Sequence, residues 1–322
     1  MRFVTAVLLA SVCFGTTGTA QALGPDASAA SVGAARILIG GGALGLVALA
    51  IYVAGRRRGA IGTSAASTPG AGSSAVGSSA VGLRHPLPSW LIVGIGAAGV
   101  LGYQPAFFAG TAANGVAVGT VVALGSAPVL TGGLDWVLRR RYPGHRWLVA
   151  TGIATAGVGL LAAATDPGQA AIDPLGLLAS LGAGTSYAVY TLAAKALLDR
   201  GWTPTGSMGA LFGGAAIVSL PLLATTDAAW LATGPGLAMA LWLGLVTTTL
   251  AYLLFGAGLR GLAPATVSTL TLAEPLTAGI LGVAVLGETL GVGAVAGLLV
   301  LATGITVLAI GGLRRTPRPV LA

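Results

Sequence analysis

Residues 8–17 read LLASVCFGTT, and residues 177–186 read LLASLGAGTS. The two segments share L-L-A-S and a following G-T at an offset of 169 (177 − 8). Further along, Phe108, Pro128 and Gly132 recur as Phe255, Pro275 and Gly279 at an offset of 147 (255 − 108). The difference between the two offsets is close to the length of a Gly/Ser/Ala-rich stretch, residues 59–83, that has no counterpart in the second half. Gly152 and Gly159 then match Gly297 and Gly304 at 145 (297 − 152), which implies a two-residue change in the preceding loop. The chain therefore reads as a duplication.

Each repeated segment lies in an apolar run, and the composition says what surrounds them. Of the 322 residues, 55% are hydrophobic and 7% charged, with a mean hydropathy of +0.91. A water-facing domain carries about 25% charged residues, so lipid is the expected solvent. A helix crossing a hydrocarbon layer about 30 Å thick needs about 20 mainly apolar residues. That length fits ten windows, at 3–23, 30–54, 88–108, 113–136, 146–165, 174–197, 205–226, 235–258, 264–286 and 290–312. Turn or charge signals separate most neighbours, among them Gly24-Pro25-Asp26, Arg139-Arg140-Arg141, Asp199-Arg200-Gly201 and Gly287-Glu288. The weakest breaks fall near residues 112–114 and 261–264. The expected fold class is all-α integral membrane, with ten transmembrane helices.

Lys and Arg resist translocation. With both termini cytoplasmic, the inner segments collect every basic residue except Arg36, while Asp26, Asp166, Asp173, Asp227 and Glu288 fall outside. The net charge of +8 thus marks membrane orientation, and no nucleic-acid partner is expected. Five spans per half is an odd number, so the halves, 1–165 and 172–313, enter the membrane in opposite senses. Residues 314–322 form a cytoplasmic tail, and 59–83, with its tandem SSAVG, a flexible cytoplasmic linker. Inverted repeats of this kind place a site near mid-membrane and support alternating access. Met1-Arg2, an apolar run and Ala20-Gln21-Ala22 also resemble a cleavable signal, but the internal partner of this segment argues for a permanent span.

Several fragments carry a family resemblance. Ala273-Glu274-Pro275-Leu276 is followed by Gly279, Gly282, Leu286-Gly287-Glu288, Gly297 and Gly304. To these are added Phe14-Gly15-Thr16-Thr17, Tyr103-Gln104 with Phe107-Phe108, and Ala251-Tyr252 with Gly258-Leu259-Arg260. Together they resemble the EamA branch of the drug/metabolite transporter superfamily over essentially the whole chain. The resemblance implies a ten-helix carrier with a central cavity, in a family that includes exporters of amino acids, metabolites and drugs. The long linker departs from the usual short connection.

An ionised side chain inside a span costs about 2.5–3.5 kcal/mol and asks for a reason. Glu274 is the one carboxylate deep inside an expected span, on an arc with Thr271, Thr277 and Ala278. It reads either as a proton- or cation-coupling group or as a buried acid bonded to a neighbouring helix beside the Pro275 bend. Arg36, near the outer end of the second span, can hold a substrate carboxylate or phosphate, pair with Glu274, or snorkel to the interface. Depth alone favours snorkelling. Gln104, Tyr187, Tyr190, Trp242, Tyr252, Thr16 and Thr185 complete the candidate pathway lining, although Tyr and Trp also gather at membrane interfaces. Pro128 and Pro275, at matched positions, are candidate hinges or static kinks. Gly41/Gly45, Gly209/Gly213 and Gly293/Gly297 have the spacing that lets helices approach closely.

Enzymatic readings find little support. His85 and His145 fall in basic loops, no Ser/His pair or metal cluster lies within the spans, and no Gly-Lys-Ser/Thr phosphate cradle is present. The single Cys13 excludes an intramolecular disulfide framework, and no cofactor or metal is expected. The leading expectation is a secondary carrier that exports small metabolites, amino acids or drug-like compounds by alternating access, with proton coupling through Glu274 as one option, acting in the cell membrane as a monomer or homodimer. A channel and a non-transporting membrane scaffold are the alternatives.

Overall fold

The computed structural model describes residues 1–62, 87–140, 142–165 and 173–313. Most of the expected linker and the whole expected tail lie outside the described residues, as do Arg84, His85, Arg141 and Asp166.

Among the described residues, ten helices are long and apolar enough to cross a membrane. They are α1 (Arg2–Ala22), α2 (Ala29–Arg56), α3 (Ser89–Gly115), α4 (Val118–Arg139), α5 (His145–Ala164), α6 (Pro174–Asp199), α7 (Pro204–Ala224), α8 (Gly234–Gly261), α9 (Pro264–Leu286) and α10 (Val292–Ile310). The described residues are thus all-helical with ten spans, as the apolar windows predict; most boundaries agree to within a few residues, but α3 runs to Gly115 rather than 108 and α4 starts at Val118 rather than 113.

Local sequence explains where these helices start and stop. Asp173 caps α6, its carboxylate accepting from the backbone N–H of Leu175 and Gly176 at 3.2 and 3.1 Å, and Pro174 occupies the first turn, where no N–H is needed. Thr203 before Pro204 and Thr233 before Pro235 start α7 and α8 in the same way. The weak break between α3 and α4 is a kink at Gly115, whose φ of 78° and ψ of 158° suit a residue without a Cβ. Pro128 lies within α4 with no non-helical dihedral beside it. Pro275 instead follows a tightened 3-10 turn, Thr271–Ala273, that divides α9. The matched prolines therefore sit in different local backbones. Trp242–Leu250 of α8 is π-helical.

Packing follows a simple rule. α2 packs on α7 and α5 on α10, while α1 packs on α8 and α9 as α6 packs on α3 and α4. Gly41 meets Phe212 and Ala216, whereas Gly45 meets Gly209 and Gly213, so α2 and α7 run antiparallel. Likewise Gly304 meets Ala150 and Ala154, and Gly297 meets Gly157 and Leu161. Small residues let these backbones touch, which is the favourable interaction between helices where lipid removes the hydrophobic drive.

Arg2, Arg56, Arg139, Arg146, Lys195, Arg200 and Arg260 all lie at helix termini on one end of the bundle, called here the basic end. Its opposite end is tied by Asn114, whose amide donates to Asp173 O at 2.9 Å and accepts from Asp173 N at 2.7 Å. Ser31 donates to Asp227 O at 2.8 Å there and accepts from the Trp230 indole at 2.8 Å.

Candidate functional site

The core between the helices is aromatic at its centre. Phe14 of α1, Tyr187 and Tyr190 of α6, Phe212 of α7, and Tyr252 and Phe255 of α8 form a continuous set of ring contacts. The hydroxyls of Tyr190 and Tyr252 are 3.1 Å apart, and Tyr187 shares a hydrogen bond of 2.9 Å with Thr271. Paired in this way, the phenols keep their polar tips satisfied away from water.

Against this cluster lies a cavity of about 70 Å³, lined by Phe14, Arg36, Tyr103, Leu124, Ala127, Tyr187, Tyr190, Tyr252, Ser268, Thr271, Leu272 and Glu274. A smaller void of about 30 Å³ adjoins it, sharing Arg36, Tyr103, Tyr190 and Tyr252 and adding Gln104 and Thr248. Five candidates from the sequence, Glu274, Tyr187, Tyr190, Tyr252 and Arg36, thus meet around one space, with Gln104 next to it.

Arg36 does not turn outward. Its Nε–H donates to Thr248 Oγ1 at 3.0 Å and its Nη2 to Thr247 O at 3.1 Å, both in the π-helical part of α8. Among the described residues no carboxylate lies within ion-pair distance of it, although Glu274 lines the same cavity.

Glu274 and Leu124 also line a second, larger space of about 690 Å³ between α1, α4, α5 and α9. This vestibule is bordered by Ala22, Thr120, Ala162, Leu286 and Glu288, all at the end opposite the basic one. Glu274 therefore stands where the central cavity meets the vestibule.

At the basic end, among the described residues, ion pairs and a hydrogen bond tie three helices together. Arg139 pairs with Asp135 at 2.8 Å and with Asp199, and Lys195 pairs with Asp199 at 3.2 Å while donating to Leu259 O at 3.3 Å. These bonds join the ends of α4, α6 and α8. Deeper in, the Trp147 indole donates to Ala265 O at 2.8 Å and to Thr269 Oγ1 at 3.0 Å, and Thr151 bonds Thr269 at 2.8 Å.

Three candidates fall elsewhere. Trp242 donates to Thr16 Oγ1 at 3.0 Å, and both line a side cleft of about 380 Å³ between α1, α8 and α9. Thr185 is exposed and bonds back to Leu181 O at 2.8 Å. Conversely, Tyr103, Thr248 and Phe14 line the central space without having been singled out as lining. For Thr248 a signal existed in Thr247-Thr248-Thr249, a polar run inside an apolar helix.

Residues 174–310 match the EamA-like transporter family. A full-length relative, the uncharacterized transporter YwfM of Bacillus subtilis (strain 168), is 37% identical over 303 residues, covering 94% of this chain and 92% of its own. The chain belongs to the EamA-like transporter family. It is a multi-pass membrane protein, and a transporter by that membership. The fold is shared with a solved crystal structure at a TM-score of 0.72 and 18% identity, over 97% of this chain and 98% of that one. Within this EamA-like protein, Glu274 of the segment Ala273-Glu274-Pro275-Leu276 lies on the wall common to cavity and vestibule.

Proposed function

We propose that the chain is a secondary carrier that exports a small solute by alternating access, through a cavity enclosed by two five-helix halves of opposite insertion. The halves are 1–165 and 172–313. The observation that carries this reading is the position of Glu274, on the wall between the vestibule and the aromatic cavity, while ion pairs tie α4 to α6 at the basic end. In this reading the vestibule is the open side and the ion pairs latch the closed side, which is half of an alternating-access cycle. The antiparallel contacts of α2 with α7 and α5 with α10 support the inverted duplication, because each pair joins helices that the repeat makes equivalent.

The basic end is cytoplasmic in this reading, which puts both termini inside and the protein in the cell membrane. Glu274 is the coupling group. A carboxylate between two compartments can load a proton on one side and release it on the other, provided its surroundings change when the halves rock. Pro275 and the 3-10 turn before it give α9 a place to bend there.

Counterflow in proteoliposomes tests this, using a solute found by screening a strain deleted for its own exporters. A carrier concentrates labelled solute in vesicles preloaded with the unlabelled compound. Linear flux without trans-acceleration would identify a channel, and no flux for any solute would leave a scaffold.

A further inference from the structure

Arg36 is the group of the central cavity that its surroundings explain least. It lies seven residues into α2 from Ala29, roughly 10 Å down the helix at 1.5 Å per residue. A guanidinium has five N–H donors. Thr248 and Thr247 of α8 take two of them and fix the plane of the group, and both acceptors are neutral. The side chain lines both voids, beside Tyr103, Tyr190 and Tyr252. A charge kept in a membrane span, oriented by two bonds yet out of ion-pair contact with any carboxylate among the described residues, is poised for an anion from outside the chain.

We propose that Arg36 is a carboxylate-binding subsite, so that the solute carried is a small compound bearing one carboxylate. The free edge of the guanidinium matches a carboxylate bidentately, and the two bonds to α8 hold that edge in place before the solute arrives. The Tyr190–Tyr252 hydroxyl pair offers a further donor beside it. Glu274, on the same cavity wall, repels a doubly charged phosphate more than a singly charged carboxylate, which favours the latter. The inference rests on the transport reading for the word "carried" but not for the binding itself.

The test is thermal stabilisation of the purified full chain in detergent by matched probes: benzoate with benzamide, hexanoate with hexanamide, L-leucine with L-leucinamide, and phenyl phosphate. The expected result is that at least one carboxylate binds about tenfold or more tightly than its amide. Arg36→Gln should bring that carboxylate to the level of the amide, and Arg36→Lys should keep part of the preference. Should Arg36→Gln fail to fold, Thr248→Val, which removes the acceptor for Nε and a hydroxyl bond to Leu243 O while leaving the guanidinium itself, should reduce the same preference. Equal binding of carboxylate and amide, no binding by any probe, binding of phenyl phosphate alone, or a preference that survives Arg36→Gln would each overturn the proposal. Flux is scored separately. A carboxylate that binds through Arg36 without being transported would sink the carrier reading and leave the subsite standing. Transport of a neutral solute, indifferent to Arg36→Gln, would do the reverse.

Discussion

Gly15 of α1 lies against the main-chain carbonyl of Glu274 in α9, so closely that a Cβ on Gly15 would fall 2.7 Å from that oxygen. Its duplicate, Gly184 of α6, lies against Ala123 O and Ala127 N of α4 at 3.1 and 3.3 Å on the same measure. Ala127 is the position that the 147-residue offset pairs with Glu274. The two glycines thus hold equivalent helices against each other, and one of them sets the backbone of the acid. Gly15→Val and Gly184→Val should each destabilise the protein by about 1–3 kcal/mol through overpacking. Gly18→Ala, which meets nothing within 4 Å, should cost almost nothing. Melting curves of the three variants in detergent check this.

Glu274→Gln separates coupling from packing. If the carboxylate carries the proton, the variant should lose uptake driven by a pH gradient while keeping solute exchange near the wild-type rate. Proteoliposome assays with and without a gradient read both. Equal loss of the two activities would assign Glu274 a structural role.

The ion pairs at the basic end should act as a latch. Asp199 is shared by Arg139 and Lys195, so Asp199→Asn weakens two contacts at once. Partly exposed pairs are worth up to about 1 kcal/mol each, so the ratio of closed to open form should fall by up to about 30-fold. A thiol reagent applied from the basic side should then reach an Ala265→Cys reporter correspondingly faster.

Tyr187→Phe removes one side of the bond to Thr271 and leaves a polar atom with fewer partners. The expected loss is about 1–2 kcal/mol of stability, with impaired transport because Thr271 adjoins the bend before Glu274. Thr185→Val, two residues away on the exposed face, should change neither quantity. Parallel melting and flux measurements compare the two.

The sequence was legible wherever a short stretch settles its own structure. Apolar runs located the ten spans, and Asp173-Pro174 and Thr203-Pro204 carry their own caps. Tyr187, Tyr190, Tyr252 and Glu274 were recognised as inward candidates because polar groups in a span need partners. Arg36 shows where local reading stops. At its depth a long side chain can reach the interface, and only Thr247 and Thr248, more than two hundred residues later, hold it inside. Thr16 and Thr185 make the same point: the duplication pairs them, yet Thr16 meets Trp242 while Thr185 meets only its own helix. Equivalence in a repeat fixes position along a helix without fixing the neighbour.

Labelling of single cysteines in a Cys13→Ser background, with a membrane-impermeant maleimide applied from each face, tests the central claim most directly. Leu124→Cys reports on the wall shared by vestibule and cavity, and Ala127→Cys on the cavity alone. Alternating access requires Leu124→Cys to react first from the face bearing Leu286. Under turnover its labelling there should fall, while Ala127→Cys becomes reactive from the basic side. Simultaneous labelling of one site from both faces, or reactivity indifferent to solute, would contradict it.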